Sequence, residues 1–206
     1  MNTKDRITAV ALRAFATHGY EGTTLAQIAS EVGIQKPSLY NHYKNKDELY
    51  LTVAHFIMNA LVDQIETSSV RYKNEELATR LKLVLKESCE FIIQKQEGVM
   101  YKRFMLFPPV ELKKEARAIV QKGDAEIDRV LAELYQHGQN EGSLKDIPLS
   151  MFSSAYYCLL DGLFTESFIY ENHDFQRRFN DAWTVFWYGI SKKLARSSLD
   201  LSSRKV

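Results

Sequence analysis

Residues 28–46 read IASEVGIQKPSLYNHYKNK, the layout of two short helices joined by a glycine-containing turn. The second helix carries hydroxyls, an amide, a phenol and lysines but no acid. A polar face of that kind at the start of a helix can donate to and accept from base edges in a major groove. The pattern around it fixes the register. Thr24 is placed to cap the first helix, with Gln27 three residues on able to return the hydrogen bond. Leu25, Ile28, Ala29 and Val32 recur at i, i+3, i+4 and i+7, a single narrow apolar stripe. Gly33 follows where a left-handed turn costs glycine least. Pro37 falls in the first turn of the next helix, where its missing N–H is no loss. Leu39 and Tyr43, four apart, face the core, and Gln35, Lys36, Ser38, Tyr40 and Asn41 are left pointing largely outward.

Working outward, Ile7, Val10, Ala11, Ala14 and Phe15 predict an earlier amphipathic helix closed by Gly19 and Gly22. Its stripe gives the two short helices something to bury against. The result is a three-helix domain over residues 1–50, marginal alone at that size and expected to lean on the rest of the chain. From Val32 to Lys46 there are three lysines and no Asp or Glu, although the whole chain carries a formal net charge of only +1. Local charge and near-neutral total point to a specific surface rather than a general nucleic-acid coat. Asn45, with Glu48 three residues later, predicts the start of the next helix, which fixes Lys46 at a helix N-terminus.

Residues 4–50 resemble the N-terminal domain of the TetR family of transcriptional regulators. The likeness rests on Phe15, Gly19-Tyr20, Thr23-Thr24, Ile28-Ala29, Val32-Gly33-Ile34, Ser38-Leu39-Tyr40, His42-Tyr43 and Lys46-Asp47-Glu48-Leu49, in order and without a gap. Tyr43 stands where the family most often has Phe, which adds a hydroxyl at the domain's edge. The resemblance implies a helix-turn-helix protein that binds a palindromic double-stranded DNA operator as a homodimer. It further implies that Thr24, Tyr40, His42 and Lys46 hold phosphates, while Gln35, Lys36, Pro37, Ser38 and Asn41 are candidates for the base edges.

The 206 residues suit this small domain plus a larger helical one at 51–206, so the expected fold is all-α. No Pro or Gly occurs from Ser38 to Glu97, and polar clusters set the boundaries there: helices are expected near 46–67 and 75–96, the latter with Leu77, Leu81, Val84, Leu85, Ser88, Phe91 and Ile92 inward. Gly98 is expected to open a short aromatic helix ending at Phe107-Pro108-Pro109. A polar helix should follow over Glu111–Asn140, broken near Gly123, with Ile119, Ile127, Val130, Leu131 and Leu134 inward. Pro148 should start another to Tyr170, and Asp174 should cap the last, which frays in a polar tail from Ser197 to Val206.

The last two helices are apolar nearly all round and so need two burial partners. One is the domain core. The other is read as the same pair of helices in a second copy, with Phe152, Tyr156, Leu160, Phe164, Trp183 and Phe186 at the dimer interface, an arrangement the family resemblance also implies. Phe91, Met100, Tyr101, Phe104, Phe107 and Tyr156 are candidates to line a cavity for a small apolar or aromatic effector, against the plainer reading that they only fill core. Asp161 and Glu166, inside an apolar helix, either touch that ligand or meet an Arg or a helix terminus.

Five histidines, His18, His42, His55, His137 and His173, show no metal-ligand spacing, and Cys89 and Cys158 form no spaced framework. No metal, cofactor or disulfide is expected. No apolar run reaches the roughly 18–20 residues of a membrane span, so the expected location is the cytoplasm. The reading is a ligand-responsive regulator, most simply a repressor, and not an enzyme. An all-helical acyl- or lipid-handling enzyme and a DNA-binding regulator without a small effector are the alternatives.

Overall fold

The computed structural model describes residues 2–93 and 96–192. The expected helix over 75–96 therefore has its last residues, and the side chain of Ile92, outside the described part, as does the whole polar tail from Ser197. Nine α-helices run in order among the described residues: α1 Thr3–His18, α2 Leu25–Val32, α3 Lys36–Tyr40, α4 Lys46–Arg71, α5 Leu77–Ile93, α6 Gln96–Leu106, α7 Lys113–Asn140, α8 Leu149–Glu166 and α9 Asn172–Ile190. A single 3-10 turn, Val110–Leu112, leads into α7.

The first three helices are fixed by local chemistry at their ends. Asn2 and Asp5 exchange hydrogen bonds across the first turn of α1, and Thr24 and Gln27 do the same for α2. Each pair satisfies two backbone donors that a helix start leaves unpaired. Gly33 terminates α2 at φ 77°, a left-handed conformation that a side chain would disfavour. Ile7, Val10, Ala11 and Phe15 of α1 are buried as their spacing requires, together with Leu12 and Ala16, whereas Ala14 is only half-buried. Leu25, Ile28, Ala29 and Val32 of α2, with Leu39 and Tyr43, complete this small core. Two side chains tie α1 to α2: Arg6 donates to the Val32 carbonyl, and Arg13 pairs with Glu31 at 2.7 Å.

Helix α4 is the spine of the molecule. It packs against α1, α5, α6 and α7 and so belongs to both halves. Its 26 residues exceed the expected 46–67 because Ser68 and Ser69 are buried rather than solvated. Glu87 of α5 explains this: it accepts hydrogen bonds from Gln64, Ser68 and Tyr72 and an ion pair from Arg71 at 2.8 Å. Burial alone would raise the Glu87 carboxyl, but those donors outweigh it and hold it below the usual range.

Helix α7 runs unbroken through Gly123, contrary to the expected interruption. The reason is steric: a Cβ there would come within 2.0 Å of Met58 Cε, so glycine is what lets α4 and α7 approach. The last helix begins three residues earlier than expected, with Glu171 rather than Asp174 at its N-cap. Its far end is tied back to the α7–α8 connection, where Lys145 N–H donates to Ile190 O at 2.7 Å and Lys192 N–H to Ser143 O at 2.9 Å.

Candidate nucleic-acid interface

Helix α3 is five residues long, and its burial pattern follows from Leu39, which is fully buried, and Tyr43, whose hydroxyl meets that of Thr8 at 3.0 Å. Pinned on that side, the segment turns Gln35, Lys36, Pro37, Tyr40, Asn41 and His42 to solvent, with Ser38 half-buried. Tyr40, 48% exposed, is the large aromatic of this surface. The expected base-reading residues, with Tyr40 and His42, are thus left accessible on and beside α3, with Lys36 and Lys44 as the exposed cations of this segment.

Two of the expected phosphate contacts have other partners. The Thr24 hydroxyl is engaged with Gln27 in the α2 cap. The Lys46 ammonium does not point free from the α4 N-terminus: it donates to Tyr20 O at 2.9 Å and Thr23 O at 3.2 Å, and lies 3.9 Å from the Tyr20 ring centre. Tyr20 in turn donates to Asp47. Burial, then the Asp47 hydrogen bond, raises the Tyr20 hydroxyl and keeps it a donor. Lys46 thus clasps the α1–α2 turn onto α4, and sequence spacing could not have revealed carbonyl partners more than twenty residues away.

Behind this face an aromatic trio joins the small domain to α4. Tyr50 stands edge-on to Phe15 at 5.1 Å and to Tyr20 at 5.2 Å. Burial pushes the Tyr50 hydroxyl up to about 12, against a downward pull from Arg103. Arg103, on α6, also reaches the last turn of α1, donating to Thr17 O at 3.4 Å. A cationic group there complements the helix C-terminus. A cleft of about 500 Å³, lined in part by Phe15, Gly19, Tyr50, Arg103 and Pro109, lies at this joint. The sequence reading missed it because its residues come from three separate segments.

Residues 7–53 match the family described as bacterial regulatory proteins, tetR family. Residues 7–53 therefore form a tetR-family domain. Over 60 residues the chain is 43% identical to the biofilm operon icaADBC HTH-type negative transcriptional regulator IcaR of Staphylococcus epidermidis, covering 29% of this chain and 32% of that protein. It is 38% identical over 60 residues to the HTH-type transcriptional repressor AcnR of Corynebacterium jeikeium, with the same coverages. The match thus spans about a third of the length of these curated relatives. Beyond the domain only the fold is shared: a putative TetR-family regulator from Mesorhizobium loti superposes with a TM-score of 0.77 at 18% identity, over 92% of this chain and 96% of that one.

In the larger helical part of the chain, the expected effector-lining residues separate. Met100, Tyr101, Phe104 and Tyr156 are buried and Phe91 half-buried, but Phe107 is 80% exposed. Phe107 is the last residue before two prolines and one past the end of α6; its N–H still donates to Arg103 O at 2.9 Å, and its side chain lies at the open cleft that Met100 also lines. Tyr156 is built into the core, its hydroxyl donating to Leu81 O at 3.2 Å. The expected dimer residues lie mostly inside the protomer. Phe152, Tyr156, Leu160, Phe164 and Trp183 are buried within one protomer, and Phe186 packs on Phe152, Tyr156 and Trp183. The aromatic side chains of these two helices are largely taken up by the protomer's own core. The uncovered stripe of α8 includes Met151, Ser154, Cys158, Asp161, Gly162 and Thr165, and that of α9 includes Asp181, Val185 and Gly189. Glu166 takes the arginine expected as one of its options, Arg178 at 2.7 Å. Among the described residues no helix is long and apolar enough to cross a membrane, and no cluster of His, Cys, Asp and Glu is placed to hold a metal ion.

Proposed function

We propose that this chain is a transcriptional repressor that binds a palindromic operator as a homodimer and releases it when a small effector occupies the helical domain. The observation that carries the reading is the face of α3. Leu39 and Tyr43 are sealed inward while Lys36, Tyr40, Asn41 and His42 stand in solvent with no acid among them. In this reading Gln35, Lys36, Ser38 and Asn41 meet base edges, with Asn41 suited to adenine and Lys36 to guanine, and Tyr40, His42 and Lys44 hold phosphates. Thr24 and Lys46 organise that face from behind.

The dimer forms through the uncovered sides of α8 and α9. Small residues Ser154, Cys158, Gly162 and Gly189 permit close helix approach, and no side chain would collide with a Cβ at either glycine. Helix α6 is the lever: it packs on α1, α4 and α5 and is hydrogen-bonded to the end of α1 through Arg103. An effector that binds better when α6 is displaced shifts the two reading heads away from half-sites roughly 34–36 Å apart. The test is a gel shift with DNA flanking the chain's own gene. Retarded bands that Lys36→Ala abolishes on operator but not on random duplex support the proposal. Equal losses on both remove Lys36 from the reading set, and no retardation of any flanking DNA defeats it.

A further inference from the structure

Between the end of α6 and the end of α8 lies an open apolar groove of about 290 Å³. Leu106 and Phe107 wall it from the α6 side, and Phe168 and Ile169 from just past α8. All four are at least half exposed, whereas Phe104 and Phe164 of the same two helices are buried. Large apolar side chains left together in water mark a binding surface.

The charge that lines this groove is of one sign. Lys102 and Arg103 line it together with Thr165, and no Asp or Glu does. Lys102 Nζ donates to Thr165 Oγ1 at 2.9 Å and lies 5.7 Å from the Phe164 ring. Arg103 donates to Thr17 O at 3.4 Å, longer than the usual N–H···O range of roughly 2.7–3.2 Å. Neither cation has an ion-pair partner among the described residues. The neighbouring acids do not change this. Glu166, next to Thr165, is paired with Arg178 at 2.7 Å. Asp161, one turn before Thr165, does not line the groove, and burial lowers the Lys102 ammonium more than Asp161 restores it.

We propose that the groove binds an amphiphilic anion, an aliphatic chain ending in a carboxylate, with Leu106, Phe107, Phe168 and Ile169 on the chain and Lys102 and Arg103 on the head. A neutral chain gains only the apolar contact, and an ammonium head meets two like charges. A carboxylate gives both cations the charge-assisted partner that a hydroxyl and a distant carbonyl do not supply. At roughly 30 Å³ per heavy atom, the share of one water in the liquid, the groove holds about ten, the size of octanoate. Arg103 also connects the site to the DNA-facing domain. It lines the cleft at the joint as well as the groove, and its bond to Thr17 O ties α6 to the last turn of α1. A head group that takes Arg103 competes with that tie. Identification of this anion as the effector rests on the proposed repressor function; the site itself does not.

The experiment is calorimetric titration of the full chain, without DNA, with octanoate, 1-octanol and octylammonium at pH 7.5. Octanoate should bind saturably, at least threefold more tightly than the alcohol and at least tenfold more tightly than the ammonium. Lys102→Gln should weaken octanoate at least fivefold and leave the alcohol unchanged. Phe168→Ser, at a half-exposed position outside the helix, should weaken both. Octylammonium as tight as octanoate, or an octanoate affinity unaltered in both variants, overturns the site. So does a parent dimer that binds no octanoate and that Phe168→Ser converts to monomer in sedimentation, because the groove is then an interface between copies. Octanoate binding that leaves DNA affinity unchanged keeps the site and refutes its regulatory role. Failure to bind octanoate while DNA is still bound refutes the site and leaves the repressor reading intact.

Discussion

Lys46→Ala separates a structural role from a DNA-contacting one. The ammonium makes two charge-assisted hydrogen bonds, to Tyr20 O and Thr23 O, and lies over the Tyr20 ring. Bonds of this kind are worth about 1.5–3 kcal/mol each when buried. Lys46 is only half-buried, so we take about 1 kcal/mol for each and about 0.5 kcal/mol for the ring contact. The variant should lose about 2–3 kcal/mol, which for a chain of this size lowers Tm by roughly 5–10 °C. Alanine also leaves two carbonyls short of a donor, so the figure is more a floor than a ceiling. The assay is thermal denaturation followed by far-ultraviolet circular dichroism, with the salt dependence of DNA binding measured on the same preparation. A Tm within about 2 °C of the parent, together with a salt slope smaller by about 0.9, would refute the clasp and return Lys46 to the phosphate contacts.

Three further outcomes follow from the same structure. Burial first, and then Asp128 and Asp161, push Asp124 up to about 6; the folded chain therefore keeps a proton that the unfolded chain releases between about pH 4 and 6, and stability falls as pH rises through that window. Discounted for solvent screening to about 1 kcal/mol, this predicts that Asp124→Asn raises Tm by roughly 2–4 °C at pH 7.5 and leaves it unchanged near pH 4, and a gain equal at both pH values would contradict it. Val185 is 73% exposed on α9, so Val185→Glu should give a folded monomer by sedimentation, whereas Phe164→Glu, which places a charge in the core, should unfold the chain at a cost of several kcal/mol; a Val185→Glu dimer as tight as the parent rejects the α8–α9 interface. At Gly138 a Cβ would meet Leu77 Cδ2 at 2.4 Å and Leu144 Cδ1 at 2.6 Å, and Gly138→Ala should cost about 1–3 kcal/mol in chemical denaturation despite the better helix propensity of alanine.

The DNA-facing domain was legible because its signals are local. Thr24 and Gln27 lie three residues apart, Gly33 ends the helix that they begin, and Leu39 and Tyr43 share a face by spacing alone. The inward residues of α7, and those of α5 from Leu77 to Ser88, were legible for the same reason, since one apolar stripe on an otherwise polar helix has one place to go. On α8 and α9 periodicity loses that power. With apolar residues on several sides, size decides which face turns inward, and Phe152, Phe164 and Trp183 fill the protomer while Ser154, Cys158 and Gly162 are left outside. Phe107 keeps the helical spacing of Met100 but sits at the end of α6 before the two prolines, where no core covers it, so periodicity alone overstated its burial. The roles of Lys46 and Arg103 were opaque for a further reason: each takes its meaning from groups on distant segments, which a single sequence does not align.

The most direct test of the repressor reading is fluorescence anisotropy of the purified chain with labelled duplexes tiled across the DNA flanking its gene, at about 150 mM salt with excess random competitor. The account predicts one saturable, palindromic site that takes two chains, binds at least 10³-fold more tightly than random duplex, and is lost in Asn41→Ala while the circular dichroism of that variant is unchanged. Binding that never exceeds the random duplex, or specific binding that survives Lys36→Ala and Asn41→Ala together, would contradict it.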